Sequence, residues 1–176
     1  MTLAEFLAWE PLQEGSYEFD GAQPVPAPGR GAARSAIGAN LFLALDARLR
    51  NPCQAFRSEL RVLAEGRVRY PDAVVTCSPV APDAAAVPDP VAVFEVAPAD
   101  AAPAERMQRA AEYQALPTVR HHAMLDQGRA SVVLLTRAPD GWTETRAAGR
   151  AAVLHLPALR VRLPLSEIYA GVRVAG

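Results

Sequence analysis

Apolar residues recur at helical spacing in one long stretch and cluster at strand spacing in several shorter ones. Residues 34–50 place Ile37, Leu41, Leu45 and Leu49 four apart, with Asp46, Arg48 and Arg50 on other faces, which predicts the longest helix before residue 100. A shorter helix is expected over 2–10, where Thr2 is a candidate N-cap, Glu5 occupies the capping-box position three residues on, and Pro11 ends the run. A third is expected over 103–115, since proline in a first helical turn removes an N–H that has no partner anyway. Strands are expected at 17–21, at 56–62 and 67–77 around a Glu65-Gly66 turn, at 91–96, and at 119–126 and 130–136 around Gln127-Gly128. Asp140-Gly141 turns the chain into a strand at 142–146, and a proline-punctuated apolar stretch leads to a short helix near 165–169. The proline- and glycine-rich segments 21–31 and 78–90 read as loops. This order of elements predicts an α/β or α+β fold, a mixed β-sheet flanked by helices, in one domain over 1–176 with loops at 21–33 and 78–90.

Composition narrows the class. A chain of 176 residues can bury a real core, and no apolar run approaches the roughly 18 residues of a membrane helix. No basic segment precedes an apolar stretch at the start, so a cytoplasmic location is the expectation. Cys53 and Cys77 lack CxxC spacing and a nearby histidine pair, so they are expected to be small buried residues, not a disulfide framework or a zinc site. The net charge of -1 excludes a globally basic protein, but residues 30–69 carry eight arginines against three acids, a net of +5. Residues 70–118 carry seven acids against two arginines, a net of -5. One part could meet phosphate and the other cations, or both could be solvated faces. All 18 basic residues are arginine.

Two acids in apolar surroundings draw the chemistry together. Asp72 follows Pro71 ahead of an apolar strand, and Glu95 lies inside the apolar run 91–96, where a buried charge requires a cation, a metal ion or a hydrogen-bond donor. Paired carboxylates suit Mg²⁺, which takes oxygen ligands and keeps waters and substrate phosphate in its shell. On the helix that follows, Glu105, Arg109 and Tyr113 fall at i, i+4 and i+8 and share one face. Ser58 and Glu59, placed on the strand before Asp72, could support a metal site from behind or pair with an arginine. His121 and His122 fall on opposite strand faces and, like the isolated His155, are expected in packing or surface roles. The plain alternative is that Asp72 and Glu95 pair with Arg67, Arg69 or Arg109 and do no chemistry.

A set of ordered motifs adds to this reading: residues 1–10 and 17–21, Asn40-Leu41, Arg69-Tyr70-Pro71-Asp72, Phe94-Glu95-Val96 and the closing segment 163–169. Together they resemble the Uma-two family of restriction endonucleases, a branch of the PD-(D/E)xK nuclease superfamily. The resemblance implies a restriction-endonuclease-like core in which Asp72, Glu95 and Glu18 hold Mg²⁺ or Mn²⁺. It also implies that the superfamily lysine sits on the helix four residues before Tyr113, a position that here is Arg109, with Glu105-Arg106 matching an Asp-Arg pair. Three further departures stand out: Arg34 at a histidine position, Ala97-Pro98-Ala99 where a Ser or Thr is usual, and His122 at an aromatic position. The expected activity is metal-dependent hydrolysis of phosphodiester bonds in nucleic acid, DNA above all. Asp72, Glu95 and Arg109 would be catalytic, Arg34, Arg57 and Arg69 would contact nucleic acid, and two subunits would reach both strands. Arginine keeps the charge of lysine but gives up no proton at ordinary pH, so no general-base role survives at 109. The alternative is a catalytically degenerate nuclease fold that binds nucleic acid or dimerises.

Overall fold

In the computed structural model, which describes residues 1–27, 31–97 and 101–175, the chain begins with α1 (Leu3–Trp9), β1 (Tyr17–Phe19), β2 (Pro24–Pro26) and α2 (Ala32–Asp46). It continues through β3 (Gln54–Arg57), β4 (Val62–Ala64), β5 (Arg67–Arg69), β6 (Ala73–Thr76) and β7 (Pro90–Ala97) to α3 (Pro103–Ala115). The last third holds β8 (His121–Asp126), β9 (Ser131–Ala138), β10 (Gly141–Ala148), β11 (Val153–Leu156), β12 (Val161–Pro164) and α4 (Leu165–Ile168). The expected α+β class with a mixed sheet is what forms. Six strands pair in the order β10-β9-β8-β7-β6-β3, and β7 and β8, the strands on either side of α3, run parallel while the other neighbours are antiparallel. A smaller sheet of order β2-β1-β5-β4 lies beside it, and β11 pairs with β12.

Local chemistry sets the helix ends. Thr2 and Glu5 close a capping box, with the Glu5 N–H 3.2 Å from Thr2 Oγ1 and the Thr2 N–H 2.7 Å from Glu5 Oε2. α3 starts at Pro103 as the sequence predicts. β7 reads as a nearly continuous apolar run because helices cover both of its faces. On one face Ile37, Leu41 and Leu45 of α2 join Phe94, Val96, Ala73 and Val75 in a cluster that extends to Leu165 and Ile168 of α4. On the other, Tyr113 of α3 joins Val74, Val93 and Val119. Asn40 ties α2 to the closing segment by donating to the carbonyls of Ile168 and Ala170, at 3.1 and 2.9 Å. A third cluster, Phe6, Phe19 and Val68, seats α1 on the small sheet.

Several boundaries differ from expectation. The run 67–77 is not one strand: β5 belongs to the small sheet and β6 to the large one, because Pro71 has no N–H for a ladder and the chain changes sheets there. The stretch 56–62 divides likewise, with Ser58 and Glu59 in a turn between β3 and β4. The loop at 21–31 contains β2, which pairs with β1 on the small sheet's edge, where proline is tolerated. The closing stretch forms the β11–β12 hairpin before its helix. Of Ala97-Pro98-Ala99, Pro98 and Ala99 lie outside the described residues.

Cys53 and Cys77 also depart from expectation: they form a disulfide and are half-buried. The register of β3 on β6 pairs Gln54 with Thr76, which sets the two cysteines opposite one another one step further along. That proximity depends on strand pairing and leaves no trace in the cysteine spacing. Cytoplasmic thiols are mostly kept reduced, so the bond bears on the expected compartment. Among the described residues no helix is long and apolar enough to cross a membrane.

Titration of the denatured protein with a thiol reagent is expected to show two thiols only after reduction. Opening the bond, which spans 24 residues, should lower the unfolding free energy by about 3 kcal/mol. A Cys53→Ser, Cys77→Ser protein with the parent's denaturation midpoint would show that the link adds no stability.

Candidate functional site

Glu95 sits on β7 facing α3, 8% exposed, and each of its oxygens has a partner. Oε1 accepts from Arg109 Nη1 at 3.0 Å and from the Tyr113 hydroxyl at 3.3 Å. Oε2 lies 3.3 Å from His122 Nε2, a bond that requires the imidazole proton on that nitrogen. His122 stands on β8 next to β7, fully buried, with its ring 4.9 Å from that of Tyr113. Its Nδ1 is buried with no hydrogen-bond partner among the described residues. Burial by itself would raise the Glu95 pKa, but the His122 hydrogen bond and the Arg109 charge outweigh it and hold the carboxyl at about 2. Burial opposes the charge on Arg109 as well, and the Glu95 and Glu18 carboxylates overcome that, so the guanidinium stays firmly protonated.

Arg109 joins this site to the small sheet. Its Nη2 lies 2.7 Å from Oε2 of Glu18 on β1, and Glu18 is 2% exposed. Arg69, from the end of β5, reaches the same Glu18 oxygen at 3.2 Å and forks onto Glu112 of α3 at 2.7 and 2.8 Å. Arg67 approaches Glu112 from the outside at 3.3 Å. The result is a buried chain of alternating charge, Glu95–Arg109–Glu18–Arg69–Glu112, that ties α3 to both sheets.

Asp72 is held separately. Extending the β6–β7 register, in which Ala73 faces Phe94, puts Asp72 across from Glu95 at the end of the pair. There it lies against α2 beside Gly38. Arg34, in the first turn of α2, grips it as a fork, Nε to Oδ1 at 2.8 Å and Nη2 to Oδ2 at 2.9 Å. The Val96 N–H donates to Oδ2 at 2.7 Å. Between these groups opens a cleft of about 200 Å³ lined by Arg34, Glu95, Val96, Glu105, Arg106 and Arg109, among others.

The carboxylate oxygens of Asp72, Glu95 and Glu18 are hard donors of the kind Mg²⁺ or Mn²⁺ takes. Their arrangement does not fit such an ion. Each carboxylate already faces a guanidinium, and among the described residues no three His, Cys, Asp or Glu side chains come together to hold a metal.

The structure thus joins Glu18, Glu95, Glu105, Arg109 and Tyr113 in one network of contacts, with Arg109 Nε 3.5 Å from the exposed Glu105, and sets the Arg34–Asp72 pair beside it as a separate unit. Arg69 is 4% exposed and spends its donors on Glu18 and Glu112, so it faces the interior. The backbone of Arg57 lies opposite Ala73, next to Asp72. Glu59 is exposed, and neither it nor Ser58 bonds to the site among the described residues. His121 is buried, its pKa lowered to about 4 by burial and by His155, and it accepts the Ala158 N–H at 3.1 Å, a packing role. Sequence reasoning missed Glu112 and His122. Glu112 was readable, since it stands three residues after Arg109 on the same helix face. His122 was not, because only the β7–β8 pairing brings it to Glu95.

The family model Uma2, described as "Putative restriction endonuclease", matches residues 3–166. Among solved structures, a chain titled a "putative nuclease belonging to DUF820" from Anabaena variabilis ATCC 29413 superimposes with a TM-score of 0.74 at 17% identity. That match covers 97% of this chain and 98% of the other, so the two share a fold. No curated protein matches the sequence.

Removing one member of a buried ion pair leaves its partner charged in a dry site, so Arg109→Ala should lower stability by about 3–5 kcal/mol in urea denaturation. Arg109→Lys, which keeps a charge, should lose less. The pH dependence follows from Glu95. Its folded pKa of about 2 lies below the ordinary 4.5, so its contribution is complete above 4.5 and is lost as pH falls toward 2. Glu95→Gln is therefore expected to flatten the acid limb of the stability curve between those values. An unchanged acid limb would place the linkage on other carboxylates.

Proposed function

The chain belongs to the Uma2 family, and on that premise we propose that it binds the phosphodiester backbone of nucleic acid, DNA in the first instance, with its family metal acids held closed. The observation that carries this reading is the cleft in which Arg34 and Arg109 stand beside Glu95. Arg34 uses Nε and one N–H of Nη2 on Asp72, which leaves further donors for a phosphate oxygen. A guanidinium suits that contact, being planar, always charged and weakly hydrated. Arg109 holds positive charge where the family resemblance implies lysine, next to the ionised Glu95. Binding without turnover is the expected resting behaviour, because the carboxylates that would bind a metal are already neutralised.

A second reading is a metal-dependent endonuclease of the kind the resemblance implies. In its favour, Glu95 is ionised across the ordinary pH range, and the donor set is all oxygen. Asp72 and Glu95 would bind Mg²⁺ or Mn²⁺, Glu18 would assist, and Arg109 would stabilise the phosphate. Both readings extend to a homodimer, which sedimentation would detect as a doubled mass.

Fluorescence anisotropy with labelled single- and double-stranded DNA and RNA separates them. The parent is expected to bind in EDTA, to weaken as salt rises and to leave the probe intact in Mn²⁺. Arg34→Ala should reduce the slope of log affinity on log salt by about 1, the signature of one lost phosphate contact. Cleavage by the parent that requires Mn²⁺ would establish the second reading. Failure to bind any of these probes would remove both.

A further inference from the structure

A divalent ion on Asp72 and the Arg34 guanidinium would compete for the same two oxygens. Arg34 satisfies both at 2.8 and 2.9 Å, while the Val96 N–H at 2.7 Å fixes Oδ2 from a third direction. The pair is mostly removed from water, with side chains 12% and 10% exposed, so the attraction is weakly screened. The charge count agrees. The carboxylates of Glu18, Asp72, Glu95 and Glu112 are matched by the guanidinium groups of Arg34, Arg67, Arg69 and Arg109, each within 3.3 Å of one of them. A metal added to this set would introduce two positive charges beside cations that do not lose their protons, with only the exposed Glu105 nearby among the described residues to offset them. A histidine at position 34, unlike arginine, would be neutral near physiological pH and would leave Asp72 free to ligate.

We propose that Arg34 is an internal cation that occupies the divalent-metal position on Asp72, so that this cleft works without a metal ion and one substitution at residue 34 opens a metal site. This rests on the reading above only in placing phosphate in the same cleft, while the metal claim stands on the Arg34–Asp72 geometry. Arg34 enters from the first turn of α2, whose apolar face is anchored by Ile37, Leu41 and Leu45. Truncating the side chain at residue 34 therefore leaves the helix seated. Asp72 then keeps the Val96 N–H, and both of its oxygens lose the guanidinium that now lies between them and the cleft lined by Arg34, Val96 and Glu95. Arg109 remains on Glu95 and Glu18, so the opened site has Asp72 as its principal protein ligand and takes its other positions from water, as Mg²⁺ and Mn²⁺ sites commonly do.

Calorimetric titration with MnCl₂ alone, supported by the electron paramagnetic resonance signal of free Mn²⁺, tests this. The parent is expected to show no Mn²⁺ site that depends on Asp72. Arg34→Ala and Arg34→His should each bind one Mn²⁺ at least about tenfold more tightly than the parent, a difference of roughly 1.4 kcal/mol. Adding Asp72→Asn to either variant should abolish the gain. Parent protein that binds Mn²⁺ and loses it on Asp72→Asn would overturn the proposal, and so would folded Arg34 variants that bind no more tightly than the parent. The parent titration decides even if both variants fail to fold. Anisotropy of a labelled DNA duplex in EDTA reports the functional reading separately: a parent protein that binds no duplex while the metal result stands removes phosphate from the cleft and leaves the internal cation in place.

Discussion

The charge buried at Glu95 is the constraint on which the rest of this site depends. A carboxylate inside a strand buried on both faces can stay ionised only if the protein supplies a cation and hydrogen-bond donors at fixed positions. Arg109, Tyr113 and His122 do so, from one face of α3 and from the neighbouring strand. Once Arg109 is drawn to Glu95 its own charge is half-enclosed, and Glu18 on the small sheet completes its shell. Glu18 then calls for Arg69, and Arg69 for Glu112. Each step of that chain fixes another element, so the two sheets and α3 are held in one arrangement by charge as well as by apolar burial.

Such a network stabilises a particular geometry more than it stabilises the fold. Ion pairs buried this deeply offset a large desolvation penalty, and their net value over an apolar core is small. What they enforce is placement: α3 cannot slide along the sheet without parting Arg109 from Glu95 or Glu112 from Arg69. The same tightness has a chemical consequence. A divalent ion needs carboxylates whose oxygens are free, and here each of the three carboxylates is engaged by an arginine, with Tyr113 and His122 also on Glu95.

Much of the fold was legible because its signals are local. The capping box at Thr2 and Glu5, Pro103 opening α3 and the Glu65-Gly66 and Asp140-Gly141 turns depend on residues within a few positions of each other. The two glycines have positive φ there, as such turns require. The boundaries that escaped were those set by pairing. Whether 67–77 is one strand or two depends on which sheet accepts each half, and the strand at 24–26 exists only because β1 offers it an edge. The acids were equally legible, since a Glu within an apolar run announces a buried charge. Their partners were legible only in part: Arg109 and Tyr113 share a helical face with Glu105, whereas nothing near residue 34 in the chain points to Asp72, 38 residues away.

By itself the sequence determined that Glu95 would need a cation, a metal ion or a hydrogen-bond donor, because burial of that carboxylate is written into the apolar residues on either side of it. It also determined that any cation supplied by a basic side chain would be arginine, since the chain contains no other. Only the tertiary structure decided which arginine meets which acid. That choice depends on the β6–β7 register, on the first turn of α2 reaching the end of that pair, and on the small sheet carrying Glu18 to the far side of α3. These long-range contacts turn two isolated acids into paired ones, Asp72 held by Arg34 and Glu95 by Arg109, at the edge of one cleft.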